Sequence, residues 1–303
     1  MTQESIDISL KSFEAKDMAQ ALALGRTYFS PEHPCLDARY LEWLYLRNPA
    51  GAALMAVATV GEKWVGMMAL VPVWLRCGVA SQLVRYAVNV VVDPAYRGRN
   101  IFIHLIKATR EHMAEAGEWL MGHPNAVALP GWKRQKMAFC PPLRPHAVLP
   151  RLAVGSDRWE QVAVGQLGEL AALCRHNLGS TWRIDPDPDY LRWRYFDPPH
   201  RQYVVRVLAR KKAWTPHMLV DRSFRFGVRL IVDWTTPEAV QSITGYLPRL
   251  VMLPKPVSEG MTTRRLMPLN EQRSMPFFVS TWGAAAGAVG AGFDRITLGA
   301  SDF

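Results

Sequence analysis

Cysteine is scarce, and its placement excludes more than its number. The four cysteines, Cys35, Cys77, Cys140 and Cys174, lie far apart in a chain of 303 residues. Without a C-x-x-C spacing there is support for neither a zinc knuckle nor a disulfide framework, so the thiols read as reduced and structural and no metal site is expected. No apolar run is long enough to cross a bilayer, and the opening MTQESIDISL is acidic where a secretory leader is basic. No membrane partner and a cytoplasmic location are therefore expected. A dense basic block is missing too. Lys and Arg number 36 against 26 Asp and Glu, a net charge of +10, but the cations are scattered, as at Arg144, Arg192, Lys211 and Arg264. That scatter disfavours a nucleic-acid tail. The surplus suits either a generally basic surface or an anionic partner.

What is present is an ordinary globular composition, 49% hydrophobic and 20% charged, in a chain long enough for two domains of about 150 residues. Its most informative stretch is RYAVNVVVDPAYRGRNIFIHLIKATREHM, residues 85–113. An apolar, β-branched run from Ala87 to Val92 reads as a strand. It ends at Asp93-Pro94, a short basic turn follows at Arg97-Gly98-Arg99-Asn100, and Ile101, Leu105, Ile106 and Met113 then share one helical face. A strand, a phosphate-sized turn and a helix start bring unpaired N–H groups and a positive dipole end to one place, which suits a pyrophosphate. The alternative reading is an ordinary βα connection.

Around this stretch the chain reads as helices at Glu14 to Tyr28, with Met18, Leu22 and Gly25 on one face, and after Asp37, a plausible N-cap, with Tyr40, Trp43 and Leu44 on one face. A hairpin follows, Leu54 to Val60 and Trp64 to Pro72, then a third strand near Val73 to Arg76. Trp119 to Gly122 is the next strand. A helix from Ala126 to Met137 is interrupted at Pro130-Gly131, and the proline-rich Phe139 to Pro150 reads as an extended connection.

The second half repeats part of the first. Asp187, Tyr190, Leu191, Trp193, Tyr195 and Pro199 stand 150 residues after Asp37, Tyr40, Leu41, Trp43, Tyr45 and Pro49, and Trp214 and Met218 keep that offset from Trp64 and Met68. Two copies of one domain are expected, 1–150 and 151–303. Asp233 ends a strand as Asp93 does, at an offset of 140, but no Arg-Gly turn follows it. The segment Glu238 to Leu247 reads as a helix with an unadorned start. Phe277 to Trp282 and Arg295 to Leu298 read as strands around a Gly- and Ala-rich stretch, 283–292.

Residues 92–102, VDPAYRGRNIF, resemble motif A of the GCN5-related N-acetyltransferase (GNAT) superfamily, V-x-P-x-x-R-G-x-G. The resemblance is carried by Arg97, Gly98 and Arg99; it departs at Asn100 and Phe102, where the family has small residues. Asn tolerates a left-handed backbone, so the turn can keep its shape. Phe102 would crowd the pyrophosphate side unless its ring turns into the core. Asn125, Lys136 and Phe139 resemble the family's final block, with Ala138 for its glycine. The resemblance implies an α/β (α+β) fold of two GNAT-like domains, each a mixed, mostly antiparallel twisted sheet flanked by helices. It implies acetyl-CoA or another acyl-CoA as donor, or acyl-phosphopantetheine on a carrier protein, and a small-molecule amine as acceptor in a specialised biosynthetic pathway. By the same resemblance the backbone from Arg97 through Gly98, Arg99, Asn100 and Ile101 to Phe102 holds the donor. An N–H of Val91 or Val92 polarises its carbonyl, and a splay before Trp119–Gly122 admits the pantetheine arm.

Acyl transfer to an amine also needs a base. The candidates are His123, His33 (beside Glu32 in the expected acceptor loop) and Asp93. Each has a plainer reading: a turn at His123-Pro124, acceptor binding at His33, a structural cap at Asp93. The family's tyrosine acid aligns with Arg134 here, and no tyrosine occurs between Tyr96 and Tyr190. The aromatic pair Trp43 and Tyr45 recurs at Trp193 and Tyr195, which favours packing over a pocket. Two other functions fit the same residues: an aminoacyl-tRNA-dependent transferase, and a non-catalytic acyl-CoA-binding or regulatory protein.

Overall fold

A computed structural model describes residues 5–149, 157–176, 181–243, 249–254, 266–269 and 274–281. These divide into two compact units. The first holds 5–74, 82–138 and 278–281; the second holds 75–81 and the described residues from 139 to 277. Each is a mixed α/β unit with a mostly antiparallel sheet flanked by helices.

In the first unit β1 (Asp7–Ser12) leads to α1 (Met18–Gly25) and α2 (Ala38–Tyr45). The hairpin β2 (Leu54–Val60) and β3 (Lys63–Cys77) follows, then β4 (Ala80–Val92), α3 (Ile101–Ala116), β5 (Trp119–Gly122) and α4 (Leu129–Arg134). The strands run in the order β1-β2-β3-β4-β5, and the late segment Phe278–Ser280 pairs antiparallel with β5. The step from β4 to β5 is the parallel one.

Local chemistry explains the boundaries. Asp37 caps α2 by accepting from the Arg39 N–H at 2.9 Å. The buried Asn48 ends that helix's turn, accepting from Ala50 N and donating to Pro72 O, each at 2.9 Å. Gly117, at φ +65°, closes α3 with its N–H on Met113 O. The α3 face expected from the spacing, Ile101, Leu105, Ile106 and Met113, is buried, with Thr109. It lies directly on the sheet: a Cβ at Gly66 of β3 would meet Ile101 Cγ2 at 2.7 Å. Trp43 and Tyr45 are core residues, 3% and 0% exposed, as their recurrence suggests.

Several expectations are corrected. The buried side of α1 is Ala21, Leu24 and Gly25, with Asp17 before it, one step round from the face read from Met18 and Leu22. The expected third strand is the far end of β3, because Pro72 is accommodated within it. Pro130 does not break α4 but begins it, where a missing N–H costs nothing.

The second unit runs β6 (Phe139–Val148), β7 (Arg158–Gln161), α5 (Leu167–His176), β8 (Arg183–Ile184), α6 (Pro188–Tyr195), β9 (Tyr203–Arg210), β10 (Ala213–Ser223), β11 (Arg229–Trp234), α7 (Pro237–Gln241), β12 (Arg249–Pro254), β13 (Leu266–Pro268) and the start of β14 (Met275–Ser280). Its main strand order is β6-β12-β11-β10-β9-β7. The proline-rich 139–148 is thus a strand and not a connection, with Val148, His146 and Leu143 facing Arg249, Val251 and Pro254 across the ladder. Apart from the two-residue β8 between its helices, the order from β7 to β12 (strand, helix, helix, hairpin, strand, helix, strand) matches that from β1 to β5, and β11 pairs with β12 in parallel as β4 does with β5. The helix expected over Glu238 to Leu247 is described only as α7, capped by Thr236 on Ala239 N. Its end, and the readings made for 282–298, lie outside the described residues.

Substituting Gly66→Ala should lower unfolding stability by about 1–3 kcal/mol, since Cγ2 of Ile101 must move or α3 must lift. Urea unfolding of the variant against wild type measures this.

Candidate active site

The site is built where β4 leaves β5. Parallel pairing begins at Val84↔Trp119 and ends at Ala87↔Gly122. Two residues further on, Asn89 takes a left-handed backbone, φ +49°. A non-glycine residue in this conformation interrupts the regular extended backbone of the strand. Its side chain explains how it is held. Asn89 Nδ2 donates to the Tyr45 hydroxyl at 2.7 Å, and Asn89 Oδ1 accepts from Cys35 Sγ at 3.1 Å. Burial pushes the Cys35 thiol up to about 12 and the Tyr45 hydroxyl well above its usual value. Both groups are therefore neutral, and the hydrogen-bond directions are fixed. Buried Val91 and half-buried Val92 follow, beyond the last pair with β5.

Asp93 then anchors the turn. Its N–H donates to Val65 O at 2.9 Å, one carboxylate oxygen accepts from Ala95 N at 3.0 Å, and the other pairs with Lys63 Nζ at 3.0 Å. The backbone hydrogen bond from Ala95 chiefly, with Lys63, holds its pKa below the usual carboxylate range. This is a structural post, in keeping with the plainer reading of Asp93. Tyr96 lies beneath the ammonium of Lys63 (5.4 Å) and the guanidinium of Arg99 (5.2 Å), while Arg97 stacks over Tyr28 at 5.9 Å. Arg97 and Arg99 are exposed at the turn.

Gly98 has φ +82°, and Asn100 has φ 56° and ψ 20°. The tolerance expected of Asn100 is thus put to use. The Asn100 side chain makes no cap hydrogen bond, and the first backbone bond of α3 is His104 N to Asn100 O, 3.0 Å. The N–H groups of Ile101, Phe102 and Ile103 precede that first bond and are open at the helix start. Phe102 does not crowd them. Its ring packs edge-on to the buried Trp132, centroids 5.7 Å apart, and lies against Gly131, where a Cβ would meet Cε1 of Phe102 at 2.4 Å. An anionic diphosphate fits this turn: the φ-permissive Gly98, the left-handed Asn100, the open helix start and two exposed guanidiniums.

The candidate bases lie apart from that turn. His123 follows β5, and the Tyr86 hydroxyl is 2.5 Å from its Nδ1. Burial pushes its pKa down to about 3, so the imidazole is neutral at working pH and shares one proton with Tyr86 across this contact. Nδ1 of His33 accepts from Cys35 N at 3.2 Å, and its ring stacks on Phe29 at 4.2 Å. It caps a short turn ahead of α2. Arg134 is at the end of α4, where Trp132 fills the buried position.

Residues 9–128 match the family described as an acetyltransferase (GNAT) domain. No curated protein matches the chain. Among solved structures it resembles a conserved protein of unknown function from Enterococcus faecalis V583 (12% identity, TM-score 0.68), a GCN5-related N-acetyltransferase from Anabaena variabilis ATCC 29413 (13%, 0.63) and Eis1 from Mycobacterium abscessus (13%, 0.60). Each alignment covers 91% of this chain and 73% of the other. At such identities the likeness is one of fold.

Sequence reasoning missed Asn89, Tyr45, Cys35 and Tyr86 as parts of one region. The available signal was an amide inside an apolar strand run, YAVNVVV, where asparagine is disfavoured unless its backbone departs from the strand.

Two tests follow. Asn100→Ala should cost about 1 kcal/mol through its left-handed backbone, whereas Asn100→Gly should not; guanidinium unfolding separates them. Because the Asp93 pKa is depressed on folding, its contribution is present above the unfolded pKa of about 3.9. That contribution is lost as pH falls through the lower folded value. The stability gap between wild type and Asp93→Asn should therefore hold at neutral pH and close in the acid range.

Proposed function

We propose that the chain is a GNAT-type N-acyltransferase that moves an acyl group from an acyl thioester, acyl-CoA first among them, to the amine of a small-molecule acceptor. One coincidence carries this reading: pairing between β4 and β5 stops at Ala87↔Gly122, and the strand so freed leads in ten residues to the anion-compatible turn at Arg97–Phe102. A gap for an extended arm and a seat for its diphosphate thus lie on one stretch of chain. The backbone N–H groups from Gly98 to Phe102, with Arg97 and Arg99, would hold the diphosphate. An N–H of Val91 or Val92, freed on the β5 side, would hold the acyl carbonyl oxygen. Acyl-CoA supplies an activated carbonyl and a thiolate leaving group. The chain's residues position donor and acceptor and keep water from the splay. Asp93 and His33 are committed to backbone, so neither is assigned the base. His123, which follows β5 and is hydrogen-bonded to Tyr86, is the candidate that remains.

We read the second unit as a copy of the first without the anion turn. The matching element order supports this, as do the paired Tyr40–Trp43 and Tyr190–Trp193 rings, 5.7 and 5.8 Å apart. The strand register moves the correspondence, however: the last parallel pairs are Ala87 and Ile231, so Asp233 stands with Asn89 rather than Asp93. Tyr195 donates to Asp233 at 2.5 Å, as Tyr45 meets Asn89.

Initial rates and thermal shifts with acetyl-CoA, longer acyl-CoAs and an acyl carrier protein test the donor. The double variant Arg97→Ala, Arg99→Ala should raise KM for acyl-CoA about tenfold or more with a smaller change in kcat. Its effect on a carrier-borne donor, which brings a single phosphate, should be less. A ribonuclease-sensitive activity would move the donor to aminoacyl-tRNA. Absence of stabilisation by every acyl-CoA, with no thiol release across an amine panel, would sink the reading in favour of a non-catalytic protein.

A further inference from the structure

The second unit carries a group of charges that acyl transfer does not use. Asp221 of β10 is fully buried and has three arginines around it: Arg229 of β11, in hydrogen-bond contact with Oδ1; Arg249 of β12, 3.2 Å from Oδ2; and Arg206 of β9, 3.6 Å from Oδ2. The register puts all four on one face of the sheet. Arg206 is opposite Leu219, two residues from Asp221; Asp221 is opposite Ile231; and Arg229 is opposite Arg249.

That face is one a helix covers. Leu219, Ile231 and Val251 on it are packed under Ala239, Val240 and Ile243, in and just after α7. But α7 has five residues where α3 has sixteen. By register Arg206 and Asp221 stand where Ala56 and Leu70 stand in the first unit, both fully buried. The second unit has thus placed charge where the first has packing. Arg85, the register counterpart of Arg229, shows what a structural pairing looks like: it meets Glu118 one to one, at 2.5 and 3.0 Å.

The group in the second unit does not balance in that way. Three guanidiniums share one carboxylate, an excess of two positive charges. Among the described residues Nε of Arg206 and Nη1 of Arg249 are buried with only Oδ2 of Asp221 recorded near them, at 3.6 and 3.2 Å, and none of the three atoms makes a well-aligned hydrogen bond. The arginine side chains remain 15–28% exposed, so the group is desolvated yet reachable. Burial first, then Arg206 and Arg229, hold the Arg249 pKa below its usual range against the pull of Asp221. Like charges held together with donors to spare are stabilised by a second anion.

We propose that Arg206, Arg229 and Arg249, oriented by Asp221, form an anion site that takes a phosphate dianion, free or borne by a small phosphomonoester. A tetrahedral dianion matches the charge excess and offers the guanidiniums of Arg206 and Arg249 better-aligned acceptors than the single oxygen Oδ2 of Asp221, while Asp221 keeps Arg229 in place. The site lies wholly in the second unit and does not depend on the acyl-donor reading.

The test is thermal unfolding and calorimetric titration of the full chain with inorganic phosphate, against chloride at matched ionic strength. A simple phosphomonoester, glycerol 3-phosphate, forms a second arm. We expect a saturable rise in Tm with phosphate and none with chloride; a tighter response to the ester than to phosphate would identify the borne form. Arg206→Gln and Arg249→Gln should each weaken binding about tenfold or more. Should either variant fail to fold, Arg249→Lys, which keeps the charge and the stem, should fold and still bind more weakly. A phosphate response no different from chloride in the wild type, or an undiminished response in the folded variants, would overturn the proposal.

Discussion

The course of β4 depends on two hydrogen bonds at Asn89, which donates to the Tyr45 hydroxyl and accepts from the Cys35 thiol. β4 runs on to Val92 past its last pair with β5, Ala87↔Gly122. A left-handed residue at position 89 interrupts it, at a conformational cost of about 1–2 kcal/mol for a non-glycine residue. Two neutral hydrogen bonds, each contributing about 0.5–1.5 kcal/mol net, offset that cost only if their partners are themselves fixed. They are. Tyr45 is fully buried, edge-on to Phe13 with centroids 5.0 Å apart, and Cys35 sits in the turn that His33 caps. The residues ahead of and within α2 thus serve the geometry of β4, which gives the aromatic W-x-Y pattern a physical purpose.

The same reasoning bears on the second unit. Tyr195 reaches Asp233 from α6 as Tyr45 reaches Asn89 from α2, and the β10–β11 register shifts beside it, between Val220 and Asp221. After that point the two units differ. β4 leads into Asp93, Gly98 and a sixteen-residue helix; β11 leads into Thr235 and Thr236 and a five-residue one. A bulge without an anion turn is a gap without a seat, and it accounts for assigning the donor to the first unit alone.

Much of this was legible in the sequence. The periodicity of Ile101, Leu105, Ile106 and Met113, the cap at Asp37 and the 150-residue spacing of aromatic residues are local or repeated signals, and the folded chain obeys them. What was not legible depends on contacts across the sheet. Phe102 looks obstructive until Gly131, 29 residues later, is seen to make room for its ring. Asp233 aligns with Asp93 by its flanking residues but with Asn89 by strand register, because a bulge changes the count. Phe139–Val148 reads as a connection because prolines punctuate it, yet the ladder to β12 is made through its neighbours. The charge group at Asp221 is drawn from four separate strands, and nothing in the linear order of Arg206, Asp221, Arg229 and Arg249 joins them.

The acid–base question also looks different with these contacts in view. A positioned general base is worth about 10²–10⁴ in rate, whereas holding two reactants in line is worth effective molarities of about 10⁵–10⁸ M. The first unit engages Asp93 and His33 with backbone, ties Asn89 to Tyr45 and Cys35, and pairs Tyr86 with His123. An imidazole with a pKa near 3 is a weak acceptor, so it would remove little from an ammonium at neutral pH. On the acyl-transfer reading, catalysis therefore rests on geometry, with the acceptor amine entering neutral and the splay of β4 from β5 setting its approach to the carbonyl. Enzymes arranged this way respond more to mutations that move a strand than to those that remove a titrating group. That makes Asn89, with no chemistry of its own, the residue on which the rate should depend most.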